Sequence, residues 1–190
     1  MVRLQRSIDA ADDLSAALAS ARRGQDAGFL ALYRAVQPGL LRYLAALVGP
    51  DAEDVASEAW LHVVRDLRTF RGDGAGFAAW AAAVARHRAI DHLRQYRRRP
   101  VPAVPVEALI ELADRADTAE QALAVISTDD AVALISTLPR REAEAVLLRV
   151  VVGLDAESAA RVLGTHAGAV RTAAYRGLRR LASRVRRSSS

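Results

Sequence analysis

The sequence lacks several kinds of residue, and each absence excludes a class of structure or chemistry. None of its 190 residues is a cysteine, which excludes disulfides, thiolate nucleophiles and zinc sites with cysteine ligands. Aromatic residues make up only 5%, and runs of β-branched residues and Asn-Gly turns are nearly absent, so we expect an all-α fold of closely packed helices. No apolar run approaches the roughly 18 residues of a membrane span, and the N-terminus lacks a signal core. We therefore expect a cytoplasmic protein without membrane insertion.

Lysine is absent as well, and arginine supplies all 27 basic residues against 22 acidic ones, for a net charge of +5. This excess favours an acidic partner such as nucleic acid, although an anionic membrane would also fit. The sequence shows no Ser/His/Asp grouping and no glycine-rich phosphate loop after a strand. We expect a protein that is not an enzyme and that needs no cofactor.

The last fifty residues predict three helices separated by two short breaks. Leu138-Pro139 suits the start of the first helix and Gly153 its end, while Asp155 is a good N-cap for the second. Gly164 closes this short helix, and a third follows from Ala169 to Arg187. We expect one buried stripe on the third helix, formed by Val170, Ala174, Leu178, Leu181 and Val185.

The opposite face of that third helix is basic. The segment 171–187 holds seven arginines and no acid, so an isolated helix would repel itself. A short helix, a tight turn and a basic second helix are typical of a helix-turn-helix that enters the DNA major groove. The alternative is an arginine-rich, solvated helix on an ordinary bundle.

The N-terminal half predicts four helices. The first covers residues 8–23 and is ended by Gly24, and the second covers residues 26–48, with Pro38 as a kink or restart. The third covers residues 51–67 and is capped by Asp51. A flexible loop, residues 71–76, follows, and Phe77 then opens a long fourth helix. On the third of these, helix-dipole complementation explains Asp51, Glu53 and Asp54 but not Glu58, which lies beyond the first turn. A docking face for a protein partner remains the alternative.

The long helix allows two further interpretations. His87, Asp91 and His92, with His62, resemble metal ligands, but neighbouring helical positions point about 100° apart, so we favour an Asp91 that neutralises nearby arginines and expect no metal. Aromatic residues beside arginines can hold unstacked bases. Phe77, Trp80 and Tyr96 fit this description, or they belong to the core.

A change in amino-acid composition near Arg99 divides the chain. Pro100, Pro102 and Pro105 begin a stiff segment that becomes acidic, and Thr118 with Gln121 then forms a capping box. We expect two small helical domains, residues 1–99 and 118–190, joined by a proline-containing linker, residues 100–117.

Three segments together resemble one known family. They are Asp51-Ala52-Glu53-Asp54-Val55-Ala56-Ser57-Glu58-Ala59-Trp60, then Phe77-Ala78-Ala79-Trp80 leading to Ile90-Asp91-His92-Leu93-Arg94, then Leu138-Pro139 with the helix-turn-helix ending Gly168-Ala169-Val170-Arg171. In this order they resemble the extracytoplasmic-function sigma factors of bacterial RNA polymerase. Ser57, His87, His166, Ala167 and Ala173 depart from the family's usual residues.

The resemblance implies a promoter-recognition subunit with a region 2-like and a region 4-like domain. Its partners would be core polymerase, through the β′ clamp helices and the β flap, promoter DNA, and, as in many family members, an anti-sigma factor. The two promoter elements would lie about 18 base pairs apart, which is roughly 60 Å at ~3.4 Å per step. The implied contacts are, for core polymerase, Asp51, Glu53, Asp54, Glu58, Trp60 and Leu61; for the −10 element, Phe77, Arg86, His87, Arg88, Arg94, Arg97 and Arg98; and for the −35 element, Arg171, Thr172, Tyr175, Arg176, Arg179 and Arg180.

Two other functions remain possible on the residues alone. A helix-turn-helix regulator that does not join polymerase would explain the C-terminal half but not the acidic helix or the proline linker. A helical enzyme or scaffold, with His87 and Asp91 as ligands, would explain neither basic surface.

Overall fold

The structure is a computed structural model, and it describes residues 13–98 and 128–188. In these two ranges every regular element is helical. The predictions for residues 8–12, for the linker 100–117 and for the capping box of Thr118 and Gln121 lie outside the described residues.

Four helices form an N-terminal unit and four form a C-terminal unit. The N-terminal unit holds α1 (residues 13–22), α2 (Asp26–Val48), α3 (Ala52–Asp66) and α4 (Gly74–Arg98), with a 3₁₀ turn, Gly49–Asp51, between α2 and α3. The C-terminal unit holds α5 (Thr128–Ser136), α6 (Arg140–Val146), α7 (Ala156–Leu163) and α8 (Ala167–Ser188). A π-helical turn, Leu147–Val151, continues α6.

Small residues allow the helices of the N-terminal unit to pack closely. On α4, Ala81, Ala82, Ala85 and Ala89 are all fully buried, and α4 packs against both α2 and α3. Pro38 lies inside α2, which runs through it as one helix. Alanine has no side chain beyond Cβ, so backbones can approach without loss of side-chain entropy.

The two units are packed against each other. Helix α4 contacts α7, and α2 contacts both α5 and the π turn. Buried side chains from both units belong to one apolar cluster. The sequence had predicted the two helical groups but not this contact between them.

Two local predictions are wrong in detail, and one feature was missed. Asp51 occupies the N-cap position of α3 without a capping hydrogen bond, because its carboxylate binds His92 instead. Helix α4 begins at Gly74 rather than at Phe77, because the Asp73 carboxylate accepts a hydrogen bond from the Gly76 N–H and caps it. The π turn after α6 was not anticipated.

The predicted stripe of α8 is buried only in its first half. Val170 and Ala174 are buried, but Leu178 is 46% and Val185 38% exposed. Gly177 marks the close approach of α8 to α6, since an added Cβ would lie 2.8 Å from Val146 Cγ2. The contact with α6 therefore centres on Gly177, and the last turns of α8 bury less apolar surface.

Candidate functional surfaces

One face of α3 is acidic and open to solvent. Glu53, Asp54 and Glu58 are exposed, and Leu61 follows them with 72% of its surface exposed. Val55, Ala59 and Val63 are buried on the opposite side. The arrangement presents carboxylates beside an apolar side chain on one rigid helix, which suits docking onto a protein.

Trp60 does not belong to this exposed face. It is 6% exposed, and its indole N–H donates to Gln37 Oε1 at 2.6 Å. Its ring lies 5.8 Å from Phe29 and 4.8 Å from Tyr33, centroid to centroid. In this structure Trp60 therefore fixes α3 on α2 and is not available as a surface contact.

The segment before α4 is anchored at several points, although the sequence predicted a flexible loop. The Arg22 guanidinium donates to the carbonyl oxygen of Phe70 and, at 3.1 Å, to that of Gly72. Arg22 also stacks over the Phe70 ring, 5.5 Å from its centroid, and the Ser15 hydroxyl oxygen accepts from the Gly74 N–H at 3.0 Å. Helix α1 thus holds the loop that leads into α4.

An aromatic stack supports the same loop. The rings of Phe70 and Trp80 are nearly parallel, with centroids 4.7 Å apart, and they border an open cleft of about 480 Å³. Phe77 is fully buried beside them at 0% exposure. Phe77 was predicted to contact DNA, but in this structure it supports the stack from inside, whereas Trp80 is half-buried at the cleft.

The basic positions of α4 differ in their surroundings. Asp91 pairs with Arg88 at 3.0 Å and with Arg94 at 3.6 Å, which confirms that this carboxylate neutralises nearby arginines. His87, Arg94 and Arg98 are exposed. Arg86 is instead partly buried and bound to Glu144 of the C-terminal unit. The side chain of Arg97 lies outside the described residues.

Both ends of α7 are built as the sequence predicted. The Asp155 carboxylate accepts from the Ser158 N–H at 2.6 Å and caps α7. This hydrogen bond lowers the pKa of Asp155. Gly164 ends α7 with a φ of 65°, a conformation that glycine adopts without strain.

His166 directly precedes the first residue of α8. Its Nδ1 accepts a hydrogen bond from the Ala169 N–H at 3.1 Å, so the imidazole caps the helix. The ring lies over Gly168, where an added Cβ would sit 3.3 Å from Nδ1. A histidine therefore performs here the capping role that a hydroxyl side chain commonly performs.

The predicted basic face of α8 is exposed. Its residues are Arg171, Thr172, Tyr175, Arg176, Arg179 and Arg180. Two of them pair with acids, Arg171 with Glu157 at 3.6 Å and Arg180 with Glu142 at 3.0 Å. The face as a whole retains a strong positive charge that can meet a phosphate backbone.

Sequence reasoning missed two residues of these surfaces, Arg22 and Glu144, since both act across the fold. Arg22 binds carbonyl groups about fifty positions away, and Glu144 binds Arg86 across 58 positions. The capping role of Asp73 could have been found, because aspartate is a preferred N-cap residue and accepts a hydrogen bond from the N–H three residues later.

Two protein families match parts of the chain. Sigma-70 region 2 matches residues 32–99 and sigma-70 region 4 matches residues 129–181. Over 180 residues the chain is 34% identical to the ECF RNA polymerase sigma factor SigD of Mycobacterium tuberculosis, and the alignment covers 90% of this chain and 84% of SigD. This chain is an ECF sigma factor.

A further relative agrees with this assignment, and two solved structures share the fold. The sigma factor is 38% identical over 132 residues to the ECF sigma factor ShbA of Streptomyces griseus, covering 68% of this chain and 69% of ShbA. The fold resembles CnrH in complex with the cytosolic domain of CnrY, with a TM-score of 0.61 and 21% identity over 91% of this chain and 97% of that one. It also resembles the sigma factor RpoE of Bartonella quintana in complex with the anti-sigma factor NepR, with a TM-score of 0.62 and 18% identity over 83% and 96%.

The family assignment confirms the predicted function and fold class. The chain is an RNA polymerase sigma factor, and it is all-α with a region 2-like and a region 4-like part. Among the described residues, no helix combines the length and apolar character that crossing a membrane requires.

Proposed function

We propose that this sigma factor binds core RNA polymerase through the exposed face of α3 and promoter DNA through α4 and α8. The observation that carries this proposal is the division of the surface by charge. Acids and Leu61 cover one face of α3, while the exposed arginines of α8 form a separate basic face in the other unit. A subunit that must join a protein and DNA at once needs two such surfaces.

On α3, the docking face consists of Glu53, Asp54, Glu58 and Leu61. Carboxylates at this density attract a basic partner surface and set its orientation, whereas Leu61 supplies apolar area that is unfavourable in water. Trp60 contributes to docking only indirectly, because it is buried and holds α3 in place on α2. Asp51 lies at the edge of the face and is engaged with His92.

For the −10 element, the cleft beside Phe70 and Trp80 together with the basic end of α4 is the proposed surface. A half-buried indole stacked on a phenyl ring offers an apolar wall for an unpaired base, and exposed Arg94 and Arg98 can follow the phosphates. Arg22 and Asp73 hold the loop in position.

For the −35 element, α8 is the proposed reading helix. Its basic face begins one turn after the His166 cap, so the N-terminal part of the helix can enter the major groove while the later arginines contact phosphates. An arginine that binds two acceptors of one guanine contributes sequence specificity, and one that binds phosphate contributes affinity alone.

Core binding is tested with charge-reversal variants. Glu53→Arg with Asp54→Arg should abolish co-purification with core polymerase and leave the helical circular dichroism spectrum unchanged. The matched control is Asp13→Arg with Asp26→Arg, which makes the same charge change at exposed positions outside α3. Undiminished core affinity in the α3 variant would contradict the proposal.

The result also separates the sigma factor from a helix-turn-helix regulator that acts without polymerase. Such a regulator would bind promoter DNA by itself and would be indifferent to the charge of α3. An anti-sigma factor stays a prediction for this chain, and co-purification of a regulator from cells that express the tagged sigma factor would test it.

A further inference from the structure

A cleft lies between the start of α6 and the first turns of α8. It has a volume of about 560 Å³ and opens to solvent. The residues that line it all belong to the C-terminal unit, so the cleft does not depend on how the two units contact each other. The side chains that can donate hydrogen bonds into it are Arg140, Arg141, His166, Thr172 and Arg176.

The arginines of this cleft differ in whether an acid neutralises them. Arg140 is bound by Glu144, whose Oε1 accepts from its Nε at 3.1 Å. Among the described residues, no carboxylate lies within ion-pair distance of Arg141 or Arg176, and both side chains are exposed. Glu142, the acid that borders the cleft, is engaged by another arginine of α8 at 3.0 Å. The cleft therefore holds two uncompensated guanidinium groups, one on each helix.

The two walls of the cleft are held at a fixed separation. An added Cβ at Gly177 of α8 would lie only 2.8 Å from Val146 Cγ2 on α6, so the helices are in close contact a short distance from the cleft. The carbonyl oxygen of Pro139 accepts from the Glu142 N–H at 2.8 Å and closes the first turn of α6. The backbone that carries Arg141 is therefore fixed relative to α8, and only its side chain must adjust to a ligand.

The imidazole of His166 borders the same cleft. Its Nδ1 accepts from the Ala169 N–H and caps α8. A neutral imidazole that accepts at one nitrogen carries its hydrogen on the other, so Nε2 is the donor, on the edge of the ring away from the cap. Because His166 is exposed, this donor can meet a ligand while the cap stays in place.

We propose that this cleft holds one phosphate of the DNA strand that passes α8, between the guanidinium groups of Arg141 and Arg176. Nε2 of His166 and the hydroxyl of Thr172 supply further donors. The inference rests on the proposed function of α8 and extends the DNA interface to α6, where the sequence predicted no DNA contact.

The chemistry of the cleft fits a DNA backbone in two respects. Charge-assisted hydrogen bonds from arginine to phosphate are shorter and stronger than bonds between neutral groups. The cleft also adjoins the exposed basic face of α8, so one continuous polyanion can occupy both surfaces. A phosphate held here carries no base information, but it sets the register and angle at which α8 enters the major groove.

The first test is Arg141→Gln, measured in assembled holoenzyme on a promoter fragment that the unchanged holoenzyme binds. Affinity should fall about tenfold at low salt, and the slope of log affinity against log salt should decrease by about 1. Sequence preference should stay the same. Arg68→Gln removes the same charge at an exposed position outside the cleft and should bind normally. Normal affinity in Arg141→Gln overturns the inference.

Neutral backbone linkages locate the phosphate. Duplex probes are prepared in which single phosphates of the −35 element carry a methyl group in place of a charged oxygen. One position should weaken binding by the unchanged holoenzyme and cost Arg141→Gln nothing further, because residues and groups in contact are not additive. A set of probes in which every neutral linkage costs the variant as much as the unchanged protein contradicts the contact.

His166 is tested with two substitutions that separate its roles. His166→Ser keeps a capping acceptor, so the melting temperature should be unchanged while affinity for the promoter fragment falls about fivefold. His166→Ala loses the cap as well and should lower both. Normal DNA affinity in a stable His166→Ser would show that the imidazole caps the helix without donating to phosphate, which overturns its place in the site.

Arg171→Ala, in the same holoenzyme assay, distinguishes failure of the cleft from failure of the proposed function. If Arg171→Ala weakens binding and Arg141→Gln does not, the cleft assignment alone is wrong. If neither variant changes affinity, α8 is not the reading helix, and the proposed function of this surface fails together with the inference.

Discussion

Helices α4 and α8 are both long and arginine-rich, yet the structure uses their charges differently. On α4, Arg86 is bound by a carboxylate of the other unit, and Arg88 shares Asp91 with Arg94. On α8, the arginines from 171 to 180 are all exposed. Helix α4 is also buried along an alanine face and at Phe77, whereas α8 is buried mainly in its first half. Two similar charge runs can thus belong to a structural helix with a basic end and to an open basic surface.

The largest expected effect contrasts one aromatic residue on each helix. Phe77→Ala removes a fully buried ring of α4 and should lower the free energy of unfolding by about 3–5 kcal/mol. Tyr175→Ala removes an exposed ring of α8, so stability should change by less than about 0.5 kcal/mol while −35 affinity falls. Urea denaturation of both variants measures the two free energies of unfolding. Equal losses of stability would contradict the difference in burial between Phe77 and Tyr175.

A leucine at position 177 tests how α8 is attached. Gly177→Leu places a side chain against Val146, Leu138 and Glu142 and should cost about 1–3 kcal/mol by overpacking. Ala182→Leu adds the same side chain at an exposed site further along α8 and serves as the control. Thermal melts should separate the two variants, and a stable Gly177→Leu would mean that α6 and α8 are not tightly fixed there.

Arginine truncation tests the open face of α8. Arg171→Ala and Arg176→Ala should each weaken promoter binding, and a base-reading arginine should lose about 1–3 kcal/mol and relax sequence preference at one position. A phosphate-binding arginine would instead weaken all sequences alike and reduce the salt dependence. Arg68→Ala removes the same charge from an exposed site in the turn after α3. Normal binding of wild-type promoter fragments by both α8 variants in holoenzyme would show that the assigned face is wrong.

The smallest effect concerns the cap that orients α7 before the turn. Asp155→Ala should cost about 1 kcal/mol at neutral pH. The folded-state pKa of Asp155 lies below the ordinary value of about 3.9, so its charged contribution is complete above that value and is lost as pH falls through the lowered pKa. Asp155→Asn keeps an acceptor but does not titrate. Its stability deficit, followed by denaturation against pH, should disappear in acid, and a deficit that persists there would contradict a charge effect.

The predictable parts of the structure depend on neighbours in sequence. The two ends of α7 follow from Asp155 and Gly164, whose capping roles are local and therefore visible in the sequence. The exposed basic face of α8 follows from helical periodicity.

What the sequence could not predict depends on distant partners. An aromatic residue beside arginines can be a base platform or a core residue, and only packing shows that Phe77 is buried while Trp80 reaches a cleft. Likewise Asp51 lies at a position where the sequence predicts a helix N-cap, but His92 on another helix binds its carboxylate. Leu178 and Val185 continue an apolar period past the region where α6 covers α8.

The anchoring of the loop before α4 by Arg22 has a consequence for the thermodynamics of the proposed base capture. Because the guanidinium binds two carbonyl groups and α1 supplies a further hydrogen bond at Gly74, the backbone of this loop is ordered before DNA arrives. Ordering a loop upon binding subtracts from affinity, and a pre-ordered loop avoids that loss. Capture of single-stranded DNA should therefore show only a small heat-capacity change, without the large negative value that accompanies folding coupled to binding.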